Sequence, residues 1–549
     1  MEKINGAMLS AMILGAAAEV DNKKQPINEL NVFPVPDGDT GTNMSLTLLA
    51  AAGDLSTHSY KTVGEAADAA ARAMVRGARG NSGVITSLLF RGFAKALKGK
   101  EDMDGSLFAE AMSEGVRSAY KAVMKPAEGT ILTVSRVSAE VAKSFAIENH
   151  DAEAVIQEML SAARDALEKT VHQNPVLEKA GVVDAGGEGF CVILDAMLRT
   201  LRGEAIARAG GEVAATSSQA NFADFATEDI KFGYCTEFIV NMGGDEVGKS
   251  HEKLRAYLDS LGDSLVFVED EDIIKIHVHT NDPGLAIQEG LKYGSLTKLK
   301  IDNMREQHTE KVIITGRLPV VPGARNIAAP EKHYGLVAVC AGAGLRAVFE
   351  DMGVDKVVEG GQTMNPSTED ILAAIDAVPA EVVFVLPNNK NIIMAAEQCI
   401  SMSEKTVVVL PTKTVPQGVS AILSFDADAE PNQNRDEMMN AAARVRTGQI
   451  TYAARDSFFD DRKIKQGDYL SICESDLVGV TKSLPAALKR LAKELHKRPA
   501  EFVTVFYGAD VDEAAALEAQ DLFKKEFKDA EVTVIPGGQP VYYYLVSAE

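Results

Sequence analysis

The chain has 549 residues, 46% of them apolar, enough for several cores and about three to four domains by length. Its 79 acidic and 56 basic side chains leave a formal net charge of −23, which argues against nucleic acid or an anionic membrane surface as the main partner. Five scattered cysteines (Cys191, Cys235, Cys340, Cys399 and Cys473) form no CxxC pair, and no stretch approaches ~18 unbroken apolar residues; the expectation is a cytoplasmic protein without disulfides or stable membrane insertion.

The first 200 residues read as helical almost throughout. Apolar positions recur at spacings of three and four over 1–20, 42–52, 61–77, 83–98, 106–124, 130–147, 151–170 and 187–202. Alanine is abundant and β-branched runs are scarce, as helix propensity favours. An all-α domain follows, broken by polar, Gly-rich loops. The first loop, NVFPVPDGDTGTNM at 31–44, sets Asp37 and Asp39 two apart around a glycine, after Pro34 and Pro36. Proline fixes φ and glycine frees it, so this is a shaped loop; its oxygen ligands and backbone amides suit a hard cation and the phosphates that cation neutralises, although Asp and Gly are also ordinary turn formers.

GARGNSG at 77–83 opens a helix at Ser82-Gly83, where unpaired amides and the positive dipole end suit a phosphate. It is neither a Walker A loop nor a G-x-G-x-x-G after a strand, and it reads equally as a tight corner between helices. Thr130 and Asp184 each precede a helix as well, as N-caps or as nucleotide contacts. His58 and His172 stand alone and read as peripheral.

PDGDTGTNM, GARGNSG and DAGGEGF on an eight-helix pattern resemble the nucleotide-binding domain of dihydroxyacetone kinases over residues 1–203. The resemblance implies a barrel of eight antiparallel helices binding Mg-ATP at one end. In that family's metal loop the last two of three aspartates form Asp-Gly-Asp, matched here by Asp37 and Asp39. The first has no clean match; Asn31 lies nearest, one residue farther upstream. The same resemblance assigns Thr40, Gly41, Thr42, Asn43, Ser82 and Gly83 to the phosphates and Asp184 to the far side of the nucleotide pocket.

Residues 204–229 read as a linker. From 230 to 318 the order strand, helix, strand, strand, helix, strand predicts a ferredoxin-like α+β middle domain. By the two-residue period, Ile274, Ile276 and Val278 share one face of its third strand, and His277 and His279 the other. Cys235 and Glu237 share a face of the first strand, which such a sheet places beside the third. Cys235, His277 and His279 are therefore a candidate zinc set, with Glu237 as a fourth ligand or a base; the competing reading is two surface histidines and an unrelated cysteine.

A second linker is read at 319–332; from 333 strands and helices alternate as in a parallel α/β unit, and a second part of the same α/β domain follows from about 433 to 549, with helices near 433–447, 482–497 and 511–527 and strands such as ITYAAR and FVTVFYG. This region resembles DegV-like fatty-acid-binding proteins, read as a carrier-docking or degenerate lipid-binding domain. Its loop GGQTMNPST at 360–368 sets Thr363, Asn365 and Ser367 after a strand, where α/β folds bind ligands, or serves as a helix cap.

The three parts in this order resemble the ATP-binding subunit of bacterial fatty acid kinase. The resemblance implies a dimeric enzyme that phosphorylates a fatty acid held by a separate DegV-like carrier, giving acyl phosphate for phospholipid synthesis. Two other readings stand beside it: a glycerone-type kinase, whose substrate domain with a covalently engaged His is not evident here, and a nucleotide-binding regulator without catalysis.

Overall fold

The computed structural model describes residues 3–31, 38–123, 126–208, 234–242, 251–269, 273–303, 327–361, 364–459 and 462–549. Asp37, Thr363 and most of both linkers lie outside them. The chain divides into two compact units, one built from residues 1–213 and 326–549, the other from 214–325.

The larger unit begins with helices α1 (Gly6–Glu29), α2 (Thr40–Thr57), α3 (Val63–Gly77), α4 (Gly80–Leu97), α5 (Gly105–Ala122), α6 (Ile131–Phe145), α7 (Ala152–Gln173), α8 (Pro175–Ala180) and α9 (Ala185–Leu201). Consecutive long helices pack side by side and α9 returns to α1, which closes the barrel. Leu9, Ile13, Met44, Leu48, Phe93, Phe108, Ile156 and Leu194 are among the residues filling its interior. Each predicted helix is present. The largest difference is at α1, which continues past residue 20 through the polar run containing Pro26 to Glu29. Its last turn is held by loop contacts, which apolar periodicity does not report. The short α8 was not foreseen; Asn174 caps it, Pro175 starts it, and Gly181 ends it at a φ of 64°.

The C-terminal part of this unit has two lobes. In the first, β5 (Lys332–Cys340), α12 (Ala343–Asp351), β6 (Lys356–Glu359), α13 (Thr368–Ala377), β7 (Ala380–Leu386), α14 (Ile393–Met402), β8 (Thr406–Val409) and α15 (Val415–Leu423) follow one another. Its sheet is parallel, in the order β6-β5-β7-β8. In the second lobe, α16 (Pro431–Arg444) precedes β9 (Arg446–Tyr452), β10 (Ser457–Phe459), β11 (Arg462–Ile464), β12 (Tyr469–Cys473) and β13 (Asp476–Thr481). Then come α17 (Leu484–Leu495), β14 (Phe502–Tyr507), α18 (Glu513–Glu526), β15 (Glu531–Pro536) and β16 (Tyr544–Ala548). Its main sheet runs β13-β12-β9-β16-β14-β15, with only β14 and β15 parallel.

The barrel and the first lobe share one apolar core: Val337, Val339, Ile371, Ile375, Val383, Ile392 and Ala395 belong to the same buried cluster as the helical residues. Helices α3 and α4 meet α13 and α14 there.

The smaller unit holds β1 (Tyr234–Met242), α10 (Glu252–Leu261), β2 (Gly262–Glu269), β3 (Ile273–Thr280), α11 (Pro283–Gly290) and β4 (Gly294–Asn303). The antiparallel order β2-β3-β1-β4 is the ferredoxin-like arrangement predicted. Ile274, Ile276, Val278, Phe238 and Val240 line its core with Leu254 and Leu258 of α10. The register pairs Cys235 with His279 and Glu237 with His277, which places these four positions on the other sheet face. Their side chains lie outside the described residues. No helix among the described residues is long and apolar enough to cross a membrane.

Candidate nucleotide site

Four helix starts, those of α2, α4, α6 and α9, converge on a cavity of about 500 Å³. The barrel wall includes Asn31, Gly38, Asp39, Thr40, Asn43, Asn81, Ser82, Thr130 and Asp184. The C-terminal wall comes from loops that leave the carboxyl ends of the parallel strands: Cys340 and Ala341 after β5, Gly360 and Gly361 after β6, Asn388 to Asn391 after β7, and Lys413 and Thr414 after β8. This is where α/β sheets hold ligands.

Asp39 is the N-cap of α2, yet its side chain makes no capping bond. Its Oδ2 instead accepts from Asn365 Nδ2 at 2.5 Å. The first amides of α2 are satisfied from α1: Asn28 Oδ1 accepts from the N–H groups of Gly41 (2.8 Å) and Thr42 (3.2 Å), and Asn28 Nδ2 donates to Thr42 Oγ1 at 3.0 Å. Gly41 packs so closely on α1 that a Cβ would stand 2.2 Å from the Lys24 carbonyl oxygen. Gly83 does the same against α2, where a Cβ would meet Thr47 Oγ1 at 2.4 Å. Gly41, Thr42 and Gly83 do not line the cavity; the glycines seat helices, and the amides of Gly41 and Thr42 are engaged by Asn28. In the sequence, a glycine for close packing and one for an anion look the same.

Asn31 does line the cavity, but its Oδ1 accepts from Thr40 Oγ1 at 2.9 Å and its carbonyl accepts from Arg455 Nη2 at 2.7 Å. That side-chain oxygen is engaged within the loop rather than held open for a cation. Ser82 Oγ donates to the Thr40 carbonyl at 3.4 Å, tying the starts of α4 and α2 together. Next to it, Asn81 Oδ1 is buried with no hydrogen-bond partner among the described residues, the kind of group a bound ligand satisfies.

Thr130 caps α6, accepting from Leu132 N, and donates to the Ala127 carbonyl at 2.8 Å. Asp184 Oδ2 accepts from Gly187 N at 2.7 Å to cap α9. Burial pushes its carboxyl up to about 6, against N–H donations from Gly187, Ile131 and Gly186 that favour the ionised form. One carboxylate therefore closes the starts of both α6 and α9. His58 and His172 are exposed and do not line the cavity.

The C-terminal wall was missed from the sequence as part of this site. Lys390 and Lys413 are exposed there, and neither has an ion-pair partner among the described residues. Burial pushes the Cys340 thiol up to about 12, so it is no nucleophile at neutral pH. Of the loop residues singled out in the first lobe, Ser367 caps α13 in a capping box with Asp370, while Asn365 reaches Asp39.

Among the described residues no three His, Cys, Asp or Glu side chains stand together as a metal site. The candidate partners Asp37, Cys235, His277 and His279 have side chains outside that set. The cavity nevertheless fits a metal-nucleotide: it offers a carboxylate at Asp39, the Asn81 oxygen without a partner among the described residues, and two lysines from the C-terminal loops.

Three stretches of the chain match family descriptions: residues 34–199 a DAK2 domain, 231–311 the middle domain and 335–549 the C-terminal domain of FakA-like fatty acid kinase proteins. Protein YloV of Bacillus subtilis (strain 168) is 40% identical over 553 residues, covering 100% of this chain and 99% of that relative. An uncharacterized protein of Staphylococcus aureus (strain USA300) is 37% identical over 556 residues, covering 100% of both. Among solved structures, the dihydroxyacetone kinase of C. freundii covers 35% of this chain and 34% of its own at 18% identity and a TM-score of 0.26. The Streptococcus pneumoniae Fatty Acid Kinase (Fak) B3 protein loaded with linoleic acid covers 40% of this chain and 99% of its own at 10% identity and a TM-score of 0.28. These two likenesses are too slight to argue from, whereas the relatives match from end to end, and by that match the chain belongs to the FakA-like fatty acid kinase family.

Proposed function

We propose that the protein transfers the γ-phosphoryl group of ATP to the carboxylate of a fatty acid presented by a separate DegV-like fatty-acid-binding carrier, in the cytoplasm, giving acyl phosphate for phospholipid synthesis. The observation that carries the reading is the cavity of about 500 Å³, which Asp39 and the start of α4 line together with Lys390 and Lys413. Asp37 and Asp39 are the residues to hold Mg²⁺, which when bound neutralises charge on the β- and γ-phosphates. Asn43, Asn81 and Ser82, which line the cavity, would orient the phosphate chain. Lys390 and Lys413 add positive charge from the C-terminal loops, exposed enough to reach an anion.

Transfer to a carboxylate needs little further chemistry. The acceptor is ionised at neutral pH, so no proton has to be removed. One carboxylate oxygen forms the new O–P bond, the bond from the γ-phosphorus to the bridging oxygen breaks, and ADP leaves with that electron pair. The described residues lining the cavity include no histidine to act as general base, which suits an acid better than an alcohol.

The test is ATP turnover by the full chain with a DegV-like carrier and a long-chain fatty acid, with each omitted in turn. Turnover that needs all three components is the expected result. Turnover of dihydroxyacetone without a carrier would overturn it, and tight ATP binding with no turnover on any acceptor would favour a regulator.

For the middle domain, the support for a zinc site is the register that sets Cys235 opposite His279 on the face shared with His277. We take its role as structural, in a homodimer. Metal analysis of the purified protein and its mass in solution check both; absence of zinc or a monomer removes the corresponding part.

A further inference from the structure

We infer that Asn365, contributed by the C-terminal part of the chain, is a positioning residue for the metal-binding carboxylate of Asp39; this rests on reading the cavity as a Mg-nucleotide site. Asn365 lies 326 residues from Asp39 in sequence, yet its Nδ2 donates to Asp39 Oδ2 at 2.5 Å and to Asn43 Oδ1 at 3.4 Å. It is only 2% exposed. A carboxamide buried that deeply is costly unless its groups are used, and here its donor group is directed at the one described carboxylate of the Asp-Gly-Asp motif.

The residue is held at both ends. On one side, Gly360 and Gly361 take φ values of 146° and 106°, and Gly361 N donates to the Met364 carbonyl at 2.9 Å, which closes the turn before Asn365. On the other, Arg79 Nη1 donates to the Asn365 carbonyl at 2.8 Å, and Thr368 N donates to the Ala78 carbonyl at 3.1 Å. Gly80, at a φ of 57°, lets the start of α4 come down onto the pair: a Cβ there would stand 2.4 Å from Asn43 Nδ2 and 3.1 Å from Asn365 Nδ2. The polar head of Asn365 therefore has little freedom to turn away.

The chemistry suits the task. A carboxylate that binds a cation is oriented by the hydrogen bond it accepts from the surrounding protein. A neutral amide can do this without competing with the cation for the negative charge. The nearby guanidinium, Arg79, is directed instead to the Asn365 carbonyl and to Asp370, 3.6 Å away. The C-terminal part thus contributes to the site through an orienting donor, in addition to covering it.

The experiment is calorimetric binding of a non-hydrolysable ATP analogue to the full chain as Mg²⁺ is varied. Asn365→Ala and the near-isosteric Asn365→Leu are compared with Thr368→Val, which removes a neighbouring contact between the two parts, Thr368 Oγ1 to the Ala78 carbonyl. The expected result is a Mg²⁺ requirement raised roughly 10–100-fold in both Asn365 variants, with metal-free melting close to wild type in at least Asn365→Leu and little change in Thr368→Val. Unchanged Mg²⁺ dependence in both Asn365 variants would overturn the inference while leaving the proposed kinase intact. An equal shift in Thr368→Val would overturn it too, by making Asn365 a docking contact. Wild type that binds the analogue without needing Mg²⁺ would instead remove the nucleotide reading on which it stands.

Discussion

At the cavity, Asp39 and Asp184 are carboxylates held in different ways. Asp39 makes no capping bond to α2 with its side chain, and its Oδ2 accepts from Asn365. Asp37→Ala and Asp39→Ala should each lower phosphoryl transfer at least roughly a hundredfold; Asp39→Ala should also lower the melting midpoint, because it leaves the buried Asn365 amide without its acceptor; retained transfer would remove the metal role. Asp184 is structural in the geometry described, spanning the starts of α6 and α9. Its folded-state value of about 6 stands above the ordinary 3.8, so the folded protein favours the protonated form. The sign follows: its stabilising contribution is fully present below about pH 4 and is lost as pH rises through about 6. Asn is as good an N-cap as Asp and carries no charge. Asp184→Asn should therefore match wild type near pH 4 and melt higher than wild type near pH 7 in the absence of nucleotide. A melting difference that does not change between those pH values would show that burial does not control this carboxyl.

At the scale of elements, Gly41 and Gly83, in the first turns of α2 and α4, set how closely helices approach. A Cβ at Gly41 would run into backbone of α1, which cannot swing aside as a side-chain tip can. Gly41→Ala should destabilise the protein by about 1–3 kcal/mol in denaturant unfolding; a neutral effect would mean that α2 can shift without cost. The helices themselves were legible in the sequence because their buried residues repeat every three or four positions, and the middle sheet because Ile274, Ile276 and Val278 alternate with polar neighbours. The last turn of α1 was not, since its role is carried by Asn28 reaching Gly41 and Thr42 through hydrogen bonds that have no periodic signature. Asn365 was visible as a loop residue near a strand end, but nothing local announces a partner 326 positions away.

At the scale of the molecule, the barrel is not closed off from the lobes C-terminal to it. Val337, Ile371, Val383 and Ile392 belong to the core begun by the helices, and Arg455 donates to the Asn31 carbonyl at 2.7 Å. A fragment ending at residue 203 should keep its helical circular dichroism but melt lower by roughly 5 °C or more and bind an apolar dye that the full chain excludes. Equal melting would show that the shared core contributes little to the barrel.

That shared core also sets an order of events at the ribosome. Helix α4 ends at Leu97, and Val337, the first strand residue among the described residues to join its cluster, is made 240 residues later. At roughly 5–20 residues per second this is a wait of roughly ten to fifty seconds. During that interval the faces of α3 and α4 that will meet α13 and α14 are exposed on a growing chain. The nascent protein thus has a period in which a chaperone, or a neighbouring nascent chain, can reach those faces before the protein's own C-terminal half does.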